Sequence, residues 1–148
     1  MTYVHASAVV VGEAGVLIRG PSGAGKSTLA RRIVDAATRD GLFARLVGDD
    51  RIAAERVHDR VILRPHRAIL HAVEIRGLGI GATAAEKGAV LRLVVDCTEA
   101  TPSRLPTIDE EATEIDGVGI RRIACRPHDE DRVLAALGHG VFTVPPPR

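Results

Sequence analysis

Gly20-Pro21-Ser22-Gly23-Ala24-Gly25-Lys26-Ser27 satisfies the pattern G-x-x-x-x-G-K-[ST] at every fixed position. Each fixed residue type answers a demand of polyphosphate binding. Glycines let backbone N–H groups turn inward around an anion without Cβ clashes, and a helix starting near the lysine adds the positive end of its dipole. Lys26 supplies a point charge for the β- and γ-phosphates, and the Ser27 hydroxyl is an oxygen donor suited to Mg²⁺. Thr28 carries the loop into that helix. Lys26 and Lys87 are the two lysines among 20 basic residues, so a lysine in this loop stands out against a background of arginine.

Asp49-Asp50 follows a short strand-like run, Arg45-Leu46-Val47-Gly48. A carboxylate there can hold Mg²⁺ or its water, or take a proton from an attacking hydroxyl; two adjacent aspartates suit both tasks. Read without the glycine loop, the pair is as well explained by a cap or turn. Glu74 and Arg76 lie two apart, on one face of an extended segment that ends in Gly77-Leu78-Gly79. Taken alone they read as a surface ion pair beside a bend. His5, a lone histidine ahead of a strand, reads alone as structural.

The elements that must position these groups are legible in outline. Ala6–Val11 and Val16–Arg19 are apolar and β-branched around the Gly12–Gly15 turn, predicting a hairpin that runs into the glycine loop. Lys26 to about Thr38 has Leu29, Ile33 and Ala36-Ala37 at helical spacing, and Gly41 ends it. Strands are expected at 44–48, 52–57, 61–64, 72–76 and 90–96, with a hairpin at 113–125 around Asp116-Gly117. A helix is expected from Asp129 to Leu137, its acidic start suited to the helix dipole. The fold class is therefore α/β, a mixed sheet with flanking helices. One domain is expected over residues 1–138, with 139–148 a flexible Pro-rich tail.

Composition narrows the functions. With 148 residues, 45% hydrophobic and 26% charged, the chain is of single-domain, globular type. No apolar stretch approaches the ~20 residues of a membrane span, and no signal segment is read at the N-terminus, so the expected location is cytoplasmic with no membrane partner. Cys97 and Cys125 form neither a zinc motif nor a disulfide framework. A net charge of +1 and 2% aromatic residues speak against nucleic acid as the partner.

Taken together, these segments resemble the catalytic domain of bacterial HPr kinase/phosphorylase, a P-loop enzyme acting on a serine of the phosphocarrier HPr in the phosphotransferase system. The matching segments are Val4-His5-Ala6, the loop Gly20–Ser27, Leu46-Val47-Gly48-Asp49-Asp50 and Glu74–Ile80, with weaker matches at Arg104-Leu105 and Arg126-Pro127. The E-I-R-G-L-G wording of Glu74–Gly79 is the most specific. The resemblance implies ATP and Mg²⁺ as cofactors, HPr as protein substrate and a hexamer, on a P-loop core of the HPr kinase/PEP carboxykinase-like type. It implies that His5 and Arg104 belong to the active site, that Lys26 binds phosphate, and that Ser27 and Glu74 hold the metal; Asp49, the other carboxylate of the adjacent pair, is expected to assist with the ion. Asp50 becomes the base that deprotonates the target serine. Where the family reads V-R-P-G-R-N, this chain has Arg126-Pro127-His128-Asp129-Glu130, so weak or absent phosphorolysis is expected. A small-molecule kinase and an ATP-sensing module without turnover are the competing readings. The first fits the loop but lacks an arginine-rich lid segment; the second gives Asp50 and Glu74 no task.

Overall fold

The structure is a computed structural model that describes residues 1–66, 72–75, 79–82, 87–98 and 111–139, the two short segments 72–75 and 79–82 by backbone course alone. In chain order the strands are β1 (Thr2–Val4), β2 (Ala6–Val11), β3 (Ala14–Arg19), β4 (Ala44–Gly48), β5 (Ile52–Val57), β6 (Arg60–Pro65), β7 (Ala72–Ile75), β8 (Gly79–Ala82), β9 (Ala89–Cys97), β10 (Ala112–Ile115) and β11 (Val118–Cys125). Helix α1 (Lys26–Arg39) follows β3, and α2 (Glu130–Ala136) follows β11. Among the described residues no helix is long and apolar enough to cross a membrane.

Two long strands, each broken in the middle, organise the sheet. β1 and β2 form one, interrupted at His5; β4 and β5 form the other, interrupted at Asp49–Arg51. They pair antiparallel on both sides of the break, Tyr3 with Ala53 and Val4 with Ile52 on one side, Ala8 with Gly48 and Val9 with Leu46 on the other. Between the two ladders the Ala6 N–H still donates to the Asp50 carbonyl at 3.2 Å. The strand order β1-β5-β6-β9-β3-β2-β4 puts these two ladders at opposite ends. The sheet therefore curls until both ends share the same two stretches of chain. β7 and β8 make a separate antiparallel hairpin.

Alternation of side chains across the strands gives two cores. Val9, Val11, Val16, Ile18, Leu93 and Val95 face the helices and meet Leu29, Ile33, Val133 and Leu134. Ala8, Val10, Leu17, Val47, Ile52, Leu63, Leu91 and Val94 face the concave side. Strand β9 serves both through a bulge: Gly15 pairs with Leu91 and Val16 with Leu93, leaving exposed Arg92 out of register. The extra residue reverses the phase of the strand, so Leu91 faces the concave core and Leu93 the helices. Gly15 is required at this crossing, because a Cβ there would lie 2.7 Å from the Val90 carbonyl oxygen.

β9 is the axis of the site. It runs parallel to β3 on one edge and, over Leu93–Cys97, parallel to β11 on the other. At their C-terminal ends Asp96 accepts both arms of Arg19, at 2.8 and 2.9 Å, and Nε of Arg122 at 2.6 Å. Burial works against the Asp96 charge, but these hydrogen bonds outweigh it and hold the carboxyl below its ordinary range. The three strands are thus stapled one residue before the glycine loop begins.

Candidate active site

The loop from Gly20 to Gly25 joins β3 to α1, and the core packs it from below. Cys97 Sγ donates to the Ala24 carbonyl at 3.3 Å. Gly25 adopts φ 97° and lies against Pro127, where a Cβ would come within 2.5 Å of the ring. No side chain caps the N-terminus of α1, so its first N–H groups remain available to an anion. Lys26 is 7% exposed. Its ammonium donates to the carbonyls of Gly20 at 2.9 Å and Pro21 at 3.1 Å, which holds it beneath the loop. That arrangement concentrates a buried cation and a helix N-terminus on one concave surface.

The break between β4 and β5 delivers the two aspartates differently. Asp49 turns toward α1 and accepts the Ser27 hydroxyl at 2.8 Å on Oδ1 and 3.1 Å on Oδ2; the buried Ser7 hydroxyl also donates to Oδ1. Asp50 stands at φ 71°, a left-handed conformation that an aspartate tolerates better than most residues. This turn out of the ladder brings its carboxylate to 3.3 Å from Nδ1 of His5, while Nε2 of His5 is 3.4 Å from the Ser22 hydroxyl. His5 therefore bridges Asp50 to the glycine loop. A cleft of about 320 Å³ is lined by His5, Ser22, Gly23, Gly25, Lys26, Ser27, Thr28 and Asp50.

Two kinds of chemistry are available here. Ser27 and Asp49 offer neighbouring oxygen donors, and Asp50 offers a carboxylate open to solvent, with 79% of its side chain exposed. Among the described residues no group of three or more His, Cys, Asp or Glu could hold a metal ion by itself. A donor set of one hydroxyl and one carboxylate fits Mg²⁺, which keeps waters and phosphate oxygens as its other ligands.

The sequence-predicted residues His5, Gly20 to Thr28, Asp49 and Asp50 thus come together. Glu74 lies in β7, described by its backbone alone, and Arg76 and Arg104 fall outside the described residues. Three contributions escaped the sequence reading, which places Pro127 only in the Arg126-Pro127 match. Ser7, the hydroxyl inside the run Ala6–Val11, carried a usable signal as a buried polar residue, whereas the Asp96 staple and Pro127 under Gly25 are contacts distant in sequence.

The HPr Serine kinase C-terminal domain model matches residues 1–127. The chain belongs to that family. It is 40% identical over 76 residues to the HPr kinase/phosphorylase of Mycoplasma mycoides subsp. mycoides SC; the match takes in 51% of this chain and 22% of that relative's length. Among solved structures, the HPr(Ser) kinase/phosphatase from Coxiella burnetii superposes with a TM-score of 0.67 at 22% identity, covering 90% of this chain and 91% of that one. That likeness establishes the shared fold, a mixed sheet with few helices.

Proposed function

We propose that the protein transfers the γ-phosphoryl group of ATP to a serine of the phosphocarrier HPr. The observation that carries this reading is the convergence of a buried lysine, a Ser27–Asp49 pair and a solvent-open Asp50 on one cleft. Membership of the HPr serine kinase family points to the same substrate. An ATP sensor would have no use for a carboxylate turned out of its ladder beside the phosphate cradle.

In this reading the loop N–H groups and Lys26 bind the triphosphate. Ser27 and Asp49 hold Mg²⁺, directly or through water, with Glu74 as a further ligand by family resemblance. The ion supplies charge neutralisation on the phosphates. Asp50 accepts the proton of the serine hydroxyl as the new P–O bond forms and the bond from the γ-phosphorus to the bridging oxygen breaks, releasing ADP. His5, between Asp50 and Ser22, keeps the carboxylate oriented. Arg104 is the further cation of the site by the same resemblance. A homo-oligomer and a cytoplasmic location belong to the same proposal.

The reverse reaction is expected to be weak. Asp129 accepts the Arg126 N–H at 2.8 Å, and Glu130 pairs with both arms of Arg32 at 2.7 and 3.0 Å. The acidic run is thereby spent on starting α2 and docking it to α1. The segment offers a free phosphate Arg126 but, with Asp129 and Glu130 following His128, not the second arginine of the family's run. The test is incubation with labelled ATP, Mg²⁺ and purified HPr, followed by mapping of the label. A phosphoserine on HPr supports the proposal; label that stays on nucleotide or free phosphate contradicts it.

A further inference from the structure

A second cleft, of about 380 Å³, opens on the far side of the same two catalytic side chains. It is lined by Tyr3, Val4, His5, Asp50 and Arg51. His5 and Asp50 are therefore the wall between this cleft and the one that holds the glycine loop. The ends of three strands build it: Val4 pairs with Ile52, and Ile52 with Pro65, so Tyr3, Arg51 and His66 gather at one rim.

The rim has an unusual composition for this chain. Tyr3 is one of three aromatic residues in the sequence, yet it is about half exposed. The Arg51 guanidinium lies 5.3 Å from the Tyr3 ring centroid, and His66 meets the same ring edge-on at 5.1 Å and 86°. Among the described residues no carboxylate pairs with Arg51. A rigid ring backed by a stacked guanidinium is the residue pairing that protein interfaces favour for tight contacts.

Phosphoryl transfer needs the attacking and leaving oxygens roughly in line through phosphorus. With the donor over the glycine loop, the acceptor hydroxyl must reach Asp50 from the opposite side. We propose that the second cleft is the acceptor subsite, and that Tyr3 and Arg51 are its specificity determinants. The occupant is a polypeptide segment: an apolar flank of the acceptor serine packs on the Tyr3 ring, and a backbone carbonyl or carboxylate beside it accepts from Arg51. This rests on the kinase reading above and adds to it where, and by which residues, the protein substrate is held.

The test is steady-state kinetics of Tyr3→Ala and Arg51→Ala with HPr as the varied substrate, then with ATP varied. Each substitution should raise KM for HPr by about tenfold while kcat stays within about threefold and KM for ATP within about twofold. Tyr3→Phe, which keeps the ring, should stay near wild type. Arg51 is exposed, so its variant remains informative should Tyr3→Ala fold poorly. A KM for HPr unchanged in Arg51→Ala, or an equal rise in KM for both substrates, would overturn the inference while leaving the kinase reading intact. A wild-type chain that phosphorylates no HPr overturns both.

Discussion

Gly25→Ala isolates the contact that seats the glycine loop on the end of β11. Gly25 has φ 97°, and an added Cβ would lie 2.5 Å from Cγ and 2.8 Å from Cβ of Pro127. The left-handed conformation costs a non-glycine residue about 1–2 kcal/mol. The Pro127 ring cannot rotate away, and its turn is fixed by Arg126 N–H to Asp129 at 2.8 Å and Asp129 N–H to Arg126 at 3.1 Å. Overpacking against it adds about 1–3 kcal/mol. The sum is about 2–5 kcal/mol, or a Tm lowered by about 4–20 °C at ~2–4 °C per kcal/mol for a domain of this size. Gly23 supplies the control: its φ is 83°, but nothing lies within 4 Å of an added Cβ. Gly23→Ala should cost about 1–2 kcal/mol, the dihedral contribution alone. Urea and thermal unfolding of the two variants measure the difference. Equal destabilisation would refute the claim that Pro127 supports the loop.

Asp96→Asn should cost about 1–3 kcal/mol at neutral pH by weakening the staple across β3, β9 and β11. Because the folded carboxyl is held below its ordinary range, its contribution is full above the unfolded value of about 3.9 and drains away as pH falls through the lower folded value. The gap to wild type should therefore narrow below about pH 4, and an unchanged gap in acid would contradict the assignment. The Cys125 thiol is pushed up to about 12, chiefly by burial, so iodoacetamide should label it at pH ~8 only through unfolding; labelling as fast as in urea would show it is open. Lys26→Ala should abolish nucleotide turnover and cost about 1–3 kcal/mol of stability, since the buried ammonium also ties down the Gly20 and Pro21 carbonyls. Wild-type turnover in that variant would remove the phosphate-binding role from the loop.

Local signals carried most of the fold. The glycine loop, the Leu29–Ile33–Ala37 stripe and the Asp116-Gly117 turn each write their geometry into a few adjacent residues. The expected elements fall within one or two residues of their bounds, although β8 (Gly79–Ala82) is not among them. α2 likewise starts at the acidic run, with Asp129 as N-cap. What stayed hidden depends on long-range register. Thr2–Val4 is too short to read as a strand alone, and only its pairing with Ile52–Ala54 reveals that β1 and β2 are one broken strand. The same register separates the two aspartates. Their identical chemistry left metal holder and base open in sequence, but the positive φ of Asp50 turns one carboxylate to His5 while Asp49 meets Ser27. The phase reversal at Arg92 was equally invisible, because it follows from the close crossing of Gly15 over Val90.

The division of labour between those aspartates is the claim on which the kinase reading turns, and single-turnover transfer from labelled ATP to HPr by Asp50→Asn tests it most directly. The substitution keeps size and hydrogen bonding but removes the proton acceptor. The rate of phosphoserine formation should fall by about 10²–10⁴-fold. ATP affinity and Mg²⁺ dependence should stay within about threefold, because Ser27 and Asp49 are untouched. A transfer rate close to wild type, or a loss of Mg²⁺ and ATP binding as large as the loss of rate, would contradict Asp50 as the base.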